Sequence, residues 1–503
     1  MKTNYYKISV IALISTLLFS CEGRLDQINP NMATESTFWQ TEQDFNLALT
    51  SCYTPLKNAL NGGYYGTRGV MLRIARADEV EFRNDIADIY TVHRFTNSTT
   101  NSLVQGMFYQ LYNALYRTNS VMQELEKKSF STEFTNAVKG EALFIRGYYL
   151  FVLGKEFKDV PLRLTASQDP ATFSLAKSSQ EDVYKQAIKD LTEASTLLPQ
   201  TSTPGKPTKG SALAFLGKIY IYMENWEAAK NTLEPLTKAP YTYKLVSDFS
   251  WNFDEAHENN AESIFEILIE NLGGSDIWGN GENVNSTQSN TRPKEYAAAE
   301  VGGWYEANPT KQIMDIFLKE KDKDGNVDYR ARMSVAWNYE GCTYYQQPFL
   351  EVFKNKPNTY WILKYQNWQT QKTEPSPAKS FINERAMRYA DVILMLAEAE
   401  LELNNIPVAI LYINQIRSRA NLLPYSGVVS KVAVKEELIN QRAIEFFVEG
   451  ERFYDLRRWG LLEEKLQSCD PGRYANFNKR FYYFPIPAKE LQTNELCSPS
   501  EGW

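Results

Sequence analysis

Two short stretches with the same small-residue spacing, separated by a long segment that cannot be regular helix, set the strongest limit on this fold. In LGKIYIYMENWEAAKNTLEPL, Leu216, Gly217 and Tyr220 are followed by Ala229 and then Leu233. In LMLAEAELELNNIPVAILYINQIR, Leu396 and Ala397 take the Leu-Gly places, and Ala409 and Ile413 recur at the same offsets. Small residues at those places let two antiparallel helices approach, and large ones fill the seam between them. Pro407 stands where a second helix would begin. Glu400 replaces the tyrosine, so the second copy is degenerate.

This is the L-G-x-x-Y…A-x-x-x-F logic of a tetratricopeptide unit. A related pattern lies upstream, where FYQLYNALYRTNSVMQELE puts Phe108, Leu111, Leu115, Met122 and Leu125 on one helical stripe. AVKGEALFIRGYYLFVLG follows similarly, and an antiparallel pair is the natural solution for two such stripes. The intervening stretch has another character. NLGGSDIWGNGENVNSTQSNTRPKEYAAAEVGGWYEANP is rich in Gly and Asn, which favour turns, and in Trp and Tyr, which linkers seldom carry. The expected fold is therefore mainly α: a tetratricopeptide-like helical-repeat scaffold with a large irregular, loop-rich, ligand-binding insertion. The expected division is one domain over 41–503, with helical repeats at 41–237 and 384–467, the insertion at 238–383 and a closing segment at 468–503.

The first residues carry an export signal. Lys2 and Lys7 precede the apolar run Ile8–Ser20, which is too short to span a bilayer. It ends in LFSC, a small residue directly before Cys21, as in a bacterial lipoprotein signal; Phe19 is bulkier than usual there. Residues 1–20 are read as the signal peptide, Cys21 as the lipidated residue and 21–40 as a polar tether. Acyl chains contributing about 0.8 kcal/mol per buried CH₂ would anchor the protein without spanning the membrane. The four other cysteines, Cys52, Cys342, Cys469 and Cys497, form no C-x-x-C pair, which disfavours structural zinc. Cys469 and Cys497 are the closest pair in sequence, and free buried thiols are an equal alternative.

Function classes drop out by chemistry. A net charge of −7 without a long basic run disfavours nucleic acid. With only two histidines, His93 and His257, and no G-x-S-x-G elbow, a Ser-His-Asp site is poorly supported. There is no phosphate-binding loop, and His257 reads as solvated. DKDGNVD, from Asp322, lacks the glycine and terminal glutamate spacing of a calcium loop and reads as an acidic turn. No cofactor or metal site is assigned; a structural calcium ion is left open. Aromatics are the better lead, because a Trp or Tyr face packs on the C–H face of a sugar ring while neighbouring polar groups bond its hydroxyls. Trp278, Tyr296, Trp304 and Tyr305, with Asn280, Asn283 and Arg292, supply both halves of that chemistry. The loop EFRNDIADIY adds Arg83, Asn84 and Asp85.

EFFVEGERFYDLRRWG, from Glu445 to Gly460, mixes charges of both signs with large aromatics. Read as helix, it places Ile444, Phe447 and Glu451 on one side, with Glu445 in reach of groups one or two turns on. It is read as scaffold. RAIEFFVEGERFYDLRRWG, RYADVILMLAEAELELNNIPVAILYINQIRSRANL from Arg388, FYYFPIPAKEL near the end, ADEV from Ala77 and MFYQLYNALYRTNSVM together closely resemble segments of the SusD/RagB family. Gln441, where that family usually has Glu, and the ending TNELCSPSEGW depart from its pattern.

The resemblance spans essentially the whole mature chain. It implies an outer-membrane lipoprotein of Bacteroidetes displayed on the cell surface, with four tetratricopeptide-like helix pairs and an irregular ligand-binding half. Such a protein is not an enzyme. It binds oligosaccharide or polysaccharide and sits as a lid on a SusC-like TonB-dependent transporter, touching the membrane through its N-terminal lipid only. Two other readings are a secreted helical glycoside hydrolase, which needs two carboxylates about 5 to 10 Å apart across a cleft, and a tetratricopeptide-type assembly lipoprotein that binds only protein. The sequence does not name the glycan.

Overall fold

The computed structural model describes residues 38–57, 62–167, 169–269, 290–375, 378 and 380–503. The export signal, Cys21 and most of the tether lie outside these residues, as do Trp278, Asn280 and Asn283. Among the described residues no helix is long and apolar enough to cross a membrane. The chain divides into two compact units, Met1–Leu47 and Ala48–Trp503. Within the first, Thr41 and Asp44 bond each other's backbone N–H with their side chains, at 3.3 and 2.6 Å, at the start of helix α1 (Glu42–Lys57).

The second unit is mainly α, as expected. Its first five scaffold helices begin where short polar side chains satisfy the open N–H groups of a first turn. Asn101 caps α2 (Ser102–Glu126), Ser131 caps α3 (Thr132–Phe157) and Ser179 caps α4 (Gln180–Leu197). Thr208 and Ser211 form a reciprocal capping box on α5 (Lys209–Tyr222), and Asn225 caps α6 (Trp226–Leu233). The α2 stripe is buried at Phe108, Leu111, Leu115 and Leu125, but Val121 takes the inward place expected for Met122. A 3.5-residue stripe drifts by about 20° per heptad on a straight 3.6-residue helix, so the buried face migrates along its length.

Close helix approach comes from glycine. Gly140, Gly147 and Gly154 recur every heptad on α3, and a Cβ at each would lie within 2.9 Å of Leu197, Leu191 and Tyr184 of α4. The partners descend in number as the glycines ascend, so the two helices are antiparallel. At the first repeat, a Cβ on Gly217 would sit 2.4 Å from the Leu233 side chain. That contact is the physical content of the Leu-Gly…Leu spacing.

The second repeat forms as read. Pro407 lies in the first turn of α8 (Ile406–Arg419), which pairs with α7 (Tyr389–Glu402), and Leu396, Ala397, Ala409 and Ile413 are all buried. Although far apart in sequence, the two repeats are neighbours in space, because α6 packs directly on α7. Glu400 uses its position to pair with Lys230 of α6 at 3.1 Å. The insertion leaves through strand β2 (Ser263–Ile267) and returns through β4 (Glu384–Arg388), which pair antiparallel with a bulge around Met387. Between these strands, among the described residues, helices are short, the longest being Lys311–Phe317. The insertion still has its own core, in which Tyr344, Tyr345, Phe349, Phe353 and Trp361 pack around Ala297 and Ala298.

The charged segment departs from a continuous helix. Helix α9 (Lys431–Glu445) stops at Glu445, Val448 and Gly450 turn with φ of +53° and +82°, and α10 (Arg452–Arg458) restarts. A β-branched residue in the left-handed region is strained. The Val448 N–H is held by Glu79 of the ADEV segment at 3.1 Å. Glu445, the last residue of α9, finds its partners on other elements. Its carboxylate meets Arg388 at 3.0 Å, Arg419 at 2.6 Å and Arg330 at 3.2 Å, and it is fully buried. Arg388 also binds Glu262 and Glu449, each at 2.6 Å, and Lys364 reaches Glu449 at 2.6 Å. Gln441, the departure from the family pattern, accepts from Arg330 at 2.7 Å. Asp322 likewise turns inward, accepting N–H groups of Asp324 and Asn326 and pairing with Arg332 at 3.1 Å, an acidic turn as read. The thiols of Cys52, Cys342, Cys469 and Cys497 are unpaired.

Two tests follow from this packing. Gly217→Val overfills a seam with no slack and should cost about 1–3 kcal/mol, read as a lower thermal midpoint by circular dichroism. For Glu445, burial favours the neutral form, but Arg419, Arg388 and Arg330 outweigh it and hold the carboxyl far below its usual range. A depressed folded pKa stabilises above the unfolded value of about 4.3, and that contribution is lost as pH falls through the folded one. Glu445→Gln should therefore cost about 3–5 kcal/mol at neutral pH and flatten the loss of stability below about pH 4, in melts across that range.

Candidate functional site

Two regions singled out separately in the sequence meet on one ribbon. Strand β1 (Val80–Phe82) pairs antiparallel with β3 (Ala307–Pro309), setting Glu81 opposite Asn308. The residues just beyond β1 therefore run beside those just before β3. The Arg83 N–H donates to the Glu306 carbonyl at 3.0 Å, extending the ladder by one step. From there the Arg83 side chain folds over the ring of Tyr305, 3.7 Å from its centroid, and donates to the Trp304 carbonyl at 2.5 Å and to Asp85. Tyr305 has φ of +43°, which turns its ring under the guanidinium, and its backbone N–H is fixed by Ala297.

The result is a layered platform. Tyr305 rests on the aromatic core of the insertion and the Arg83 guanidinium sits over its ring. Asn84 and Asp85 are exposed at the edge, and Trp304 is half-buried with no ring partner among the described residues. A half-exposed indole and a phenol ring carried on the same ribbon as a guanidinium, an amide and a carboxylate are the group types that take an apolar ring face and its surrounding hydroxyls.

Below the platform the carboxyls behave differently. Glu306 is pushed above the usual range by burial, with Arg83 pulling it down and Asp85 pushing it up. Burial pushes Glu295 up to about 7, against the pull of Arg68 at 3.0 Å and with Glu306 adding to the rise. Both are buried.

Two expected contact residues are corrected by burial. Arg292 is 1% exposed and bonds Glu384 at 3.0 Å and the Val448 carbonyl. Tyr296 is wholly buried beside it. Both start the insertion's core, at the short helix Arg292–Tyr296, whose Thr291 and Asn290 are locked to Thr67. Loop composition alone does not separate such anchors from surface groups. His257, read as solvated, stacks on Trp251 at 4.5 Å and bonds Asp254.

Tyr339 and Trp368 were not singled out by sequence, yet both are half-buried against the same core as Tyr305. Their signal was available in the aromatic runs AWNY and YWILKYQNW, which continue the density that marked Trp304.

Comparison with known proteins fits this architecture. The family model described as the SusD family matches residues 261–503, and one described as starch-binding associating with outer membrane matches 23–221. A SusD superfamily protein of Bacteroides vulgatus is 70% identical, with a TM-score of 0.87 over 93% of this chain and all of that one. The SusD-like protein P2 of Formosa agariphila is 26% identical across 98% of this chain and 99% of its own. Surface glycan-binding protein A of Bacteroides fluxus shares the fold at a TM-score of 0.73 and 21% identity, over 92% of this chain and all of that one.

The corrected role of Arg292 is checked by stability. Arg292→Ala leaves the Glu384 carboxylate buried beside an empty place and should cost about 3–5 kcal/mol, seen as a lower denaturant midpoint. An Asn84→Ala change at the exposed rim should stay within about 0.5 kcal/mol of the parent.

Proposed function

The chain belongs to the SusD family, and on that premise we propose that it is a lipid-anchored, cell-surface carbohydrate-binding protein that captures oligosaccharides for a SusC-like TonB-dependent outer-membrane transporter. In this reading residues 1–20 direct export, Cys21 carries the lipid, 21–40 form a tether and 41–503 form one functional domain. The protein holds and hands over its ligand without chemical change. One of its family models is named for starch binding and outer-membrane association, and a fold neighbour is named for surface glycan binding.

The observation that carries the reading is the platform of Trp304, Tyr305 and Arg83 with Asn84 and Asp85. Its groups come from two distant parts of the chain and are held by a backbone ribbon, so they are placed before any ligand arrives. Pre-placement lowers the ordering cost of binding. A flat aromatic with hydroxyl-bonding groups on its rim suits a neutral or weakly acidic sugar better than a charged nucleotide.

Calorimetric titration of the mature chain lacking Cys21 against plant and host glycans, with an assay for released reducing ends, tests this reading. Binding without release is expected, and release would replace the capture reading with a hydrolase. Trp304→Ala should weaken the glycan that binds by about thirtyfold, the scale of losing an aromatic anchor, with an unchanged thermal midpoint.

A further inference from the structure

A second groove shares none of the platform's residues. It has a volume of about 350 Å³, near the lower end of small-ligand sites. One wall carries Tyr241 and Tyr243, whose rings are near-parallel at 13° and 5.9 Å apart, with Tyr389 continuing the series at 29° and 6.3 Å. Tyr241 and Tyr243 are half-buried. The opposite wall is the connection from α4 to α5, where Thr201 to Thr203 are exposed and bring hydroxyls to the opening.

The tyrosine wall is built, not incidental. A Cβ on Gly210 would lie 2.2 Å from the Tyr243 hydroxyl, so the first turn of α5 is cut away to seat that ring. Thr208 stands 3.5 Å from the same hydroxyl. The groove's charged side chains are engaged elsewhere: Lys206 binds Glu141 at 2.6 Å, and Glu266 takes the Asn259 N–H at 2.9 Å and Asn383 at 2.8 Å. What remains to meet a ligand is aromatic faces, hydroxyls and amides. An anion would find no free cation there.

We propose that the Tyr241–Tyr243 groove is a second sugar subsite, taking one or two neutral pyranose rings of the glycan held at the platform. The proposal rests on the capture reading and adds a second point of attachment to it. Two linked contacts raise avidity through effective concentration without any new group at the first site. A long polysaccharide should therefore be retained more strongly than its own hexasaccharide.

Affinity electrophoresis of the mature chain in gels containing soluble starch, laminarin, xylan, mannan or mucin tests this directly. On the polymer that retards the parent, Tyr241→Ala/Tyr243→Ala should lose about tenfold in affinity while hexasaccharide binding at the platform stays unchanged. Thr203→Trp, at an exposed position, should reproduce the loss by filling the groove without disturbing the seat of Tyr243. Unchanged retention of both variants overturns the groove and leaves the platform reading standing. A parent retarded by none of the polymers overturns both readings. Binding of casein peptides that the same variants abolish makes this a peptide groove and overturns the sugar assignment.

Discussion

A buried carboxylate held by three guanidiniums organises this protein. Glu445 closes helix α9, and the cations around it come from three places: Arg388 at the end of the returning strand, Arg419 on the second repeat and Arg330 within the insertion. Charges removed from water are destabilising unless every partner is present and well placed. The same cost makes the cluster selective, because no partly assembled arrangement satisfies it. Apolar packing would tolerate small slides of the insertion over the helices. A ring of charge-assisted hydrogen bonds at 2.6 to 3.2 Å does not. The pairing of Arg388 with Glu262 and of Lys364 with Glu449 carries the restraint into both ends of the loop-rich half.

The helical side is held differently. Glycines at heptad spacing on α3 and at Gly217 bring backbones so close that side chains of the partner helix fill the missing Cβ positions. Such seams tolerate little change in volume. Because α6 packs on α7, a long excursion of the chain leaves the repeat stack unbroken. The insertion is thus carried by the stack, and its short β2–β4 neck sets where it emerges.

The platform shows how far composition reaches. Trp304, Tyr305, Arg83, Asn84 and Asp85 were legible as aromatic and polar loop residues, and the ribbon brings them together. Arg292 and Tyr296 carry the same letters in the same kind of loop, yet they are interior. Periodicity reports burial in helices and strands. In a loop without period nothing in the local sequence says which way a side chain faces, and only long-range partners such as Glu384 and the Val448 carbonyl decide it. Tyr339 and Trp368 show the same limit: their runs carry the aromatic density of the Trp304 loop, and only the packing leaves these two half-buried against the core while Trp361 and Tyr365 are buried.

The sequence by itself determined the repeat spacing, the helical stripe from Phe108 to Leu125 and the irregular character of the insertion. These are local properties, set within a few residues by backbone propensity and side-chain size. It also determined that EFFVEGERFYDLRRWG is scaffold, since large apolar residues between charges leave no open cleft. Only the tertiary structure decided that α9 breaks at Glu445, that the two repeats touch, and that Arg83 lies on Tyr305. Each depends on residues more than a hundred positions apart finding one another, and the favoured pairing follows from the desolvation and geometry of the whole set, which no single segment encodes.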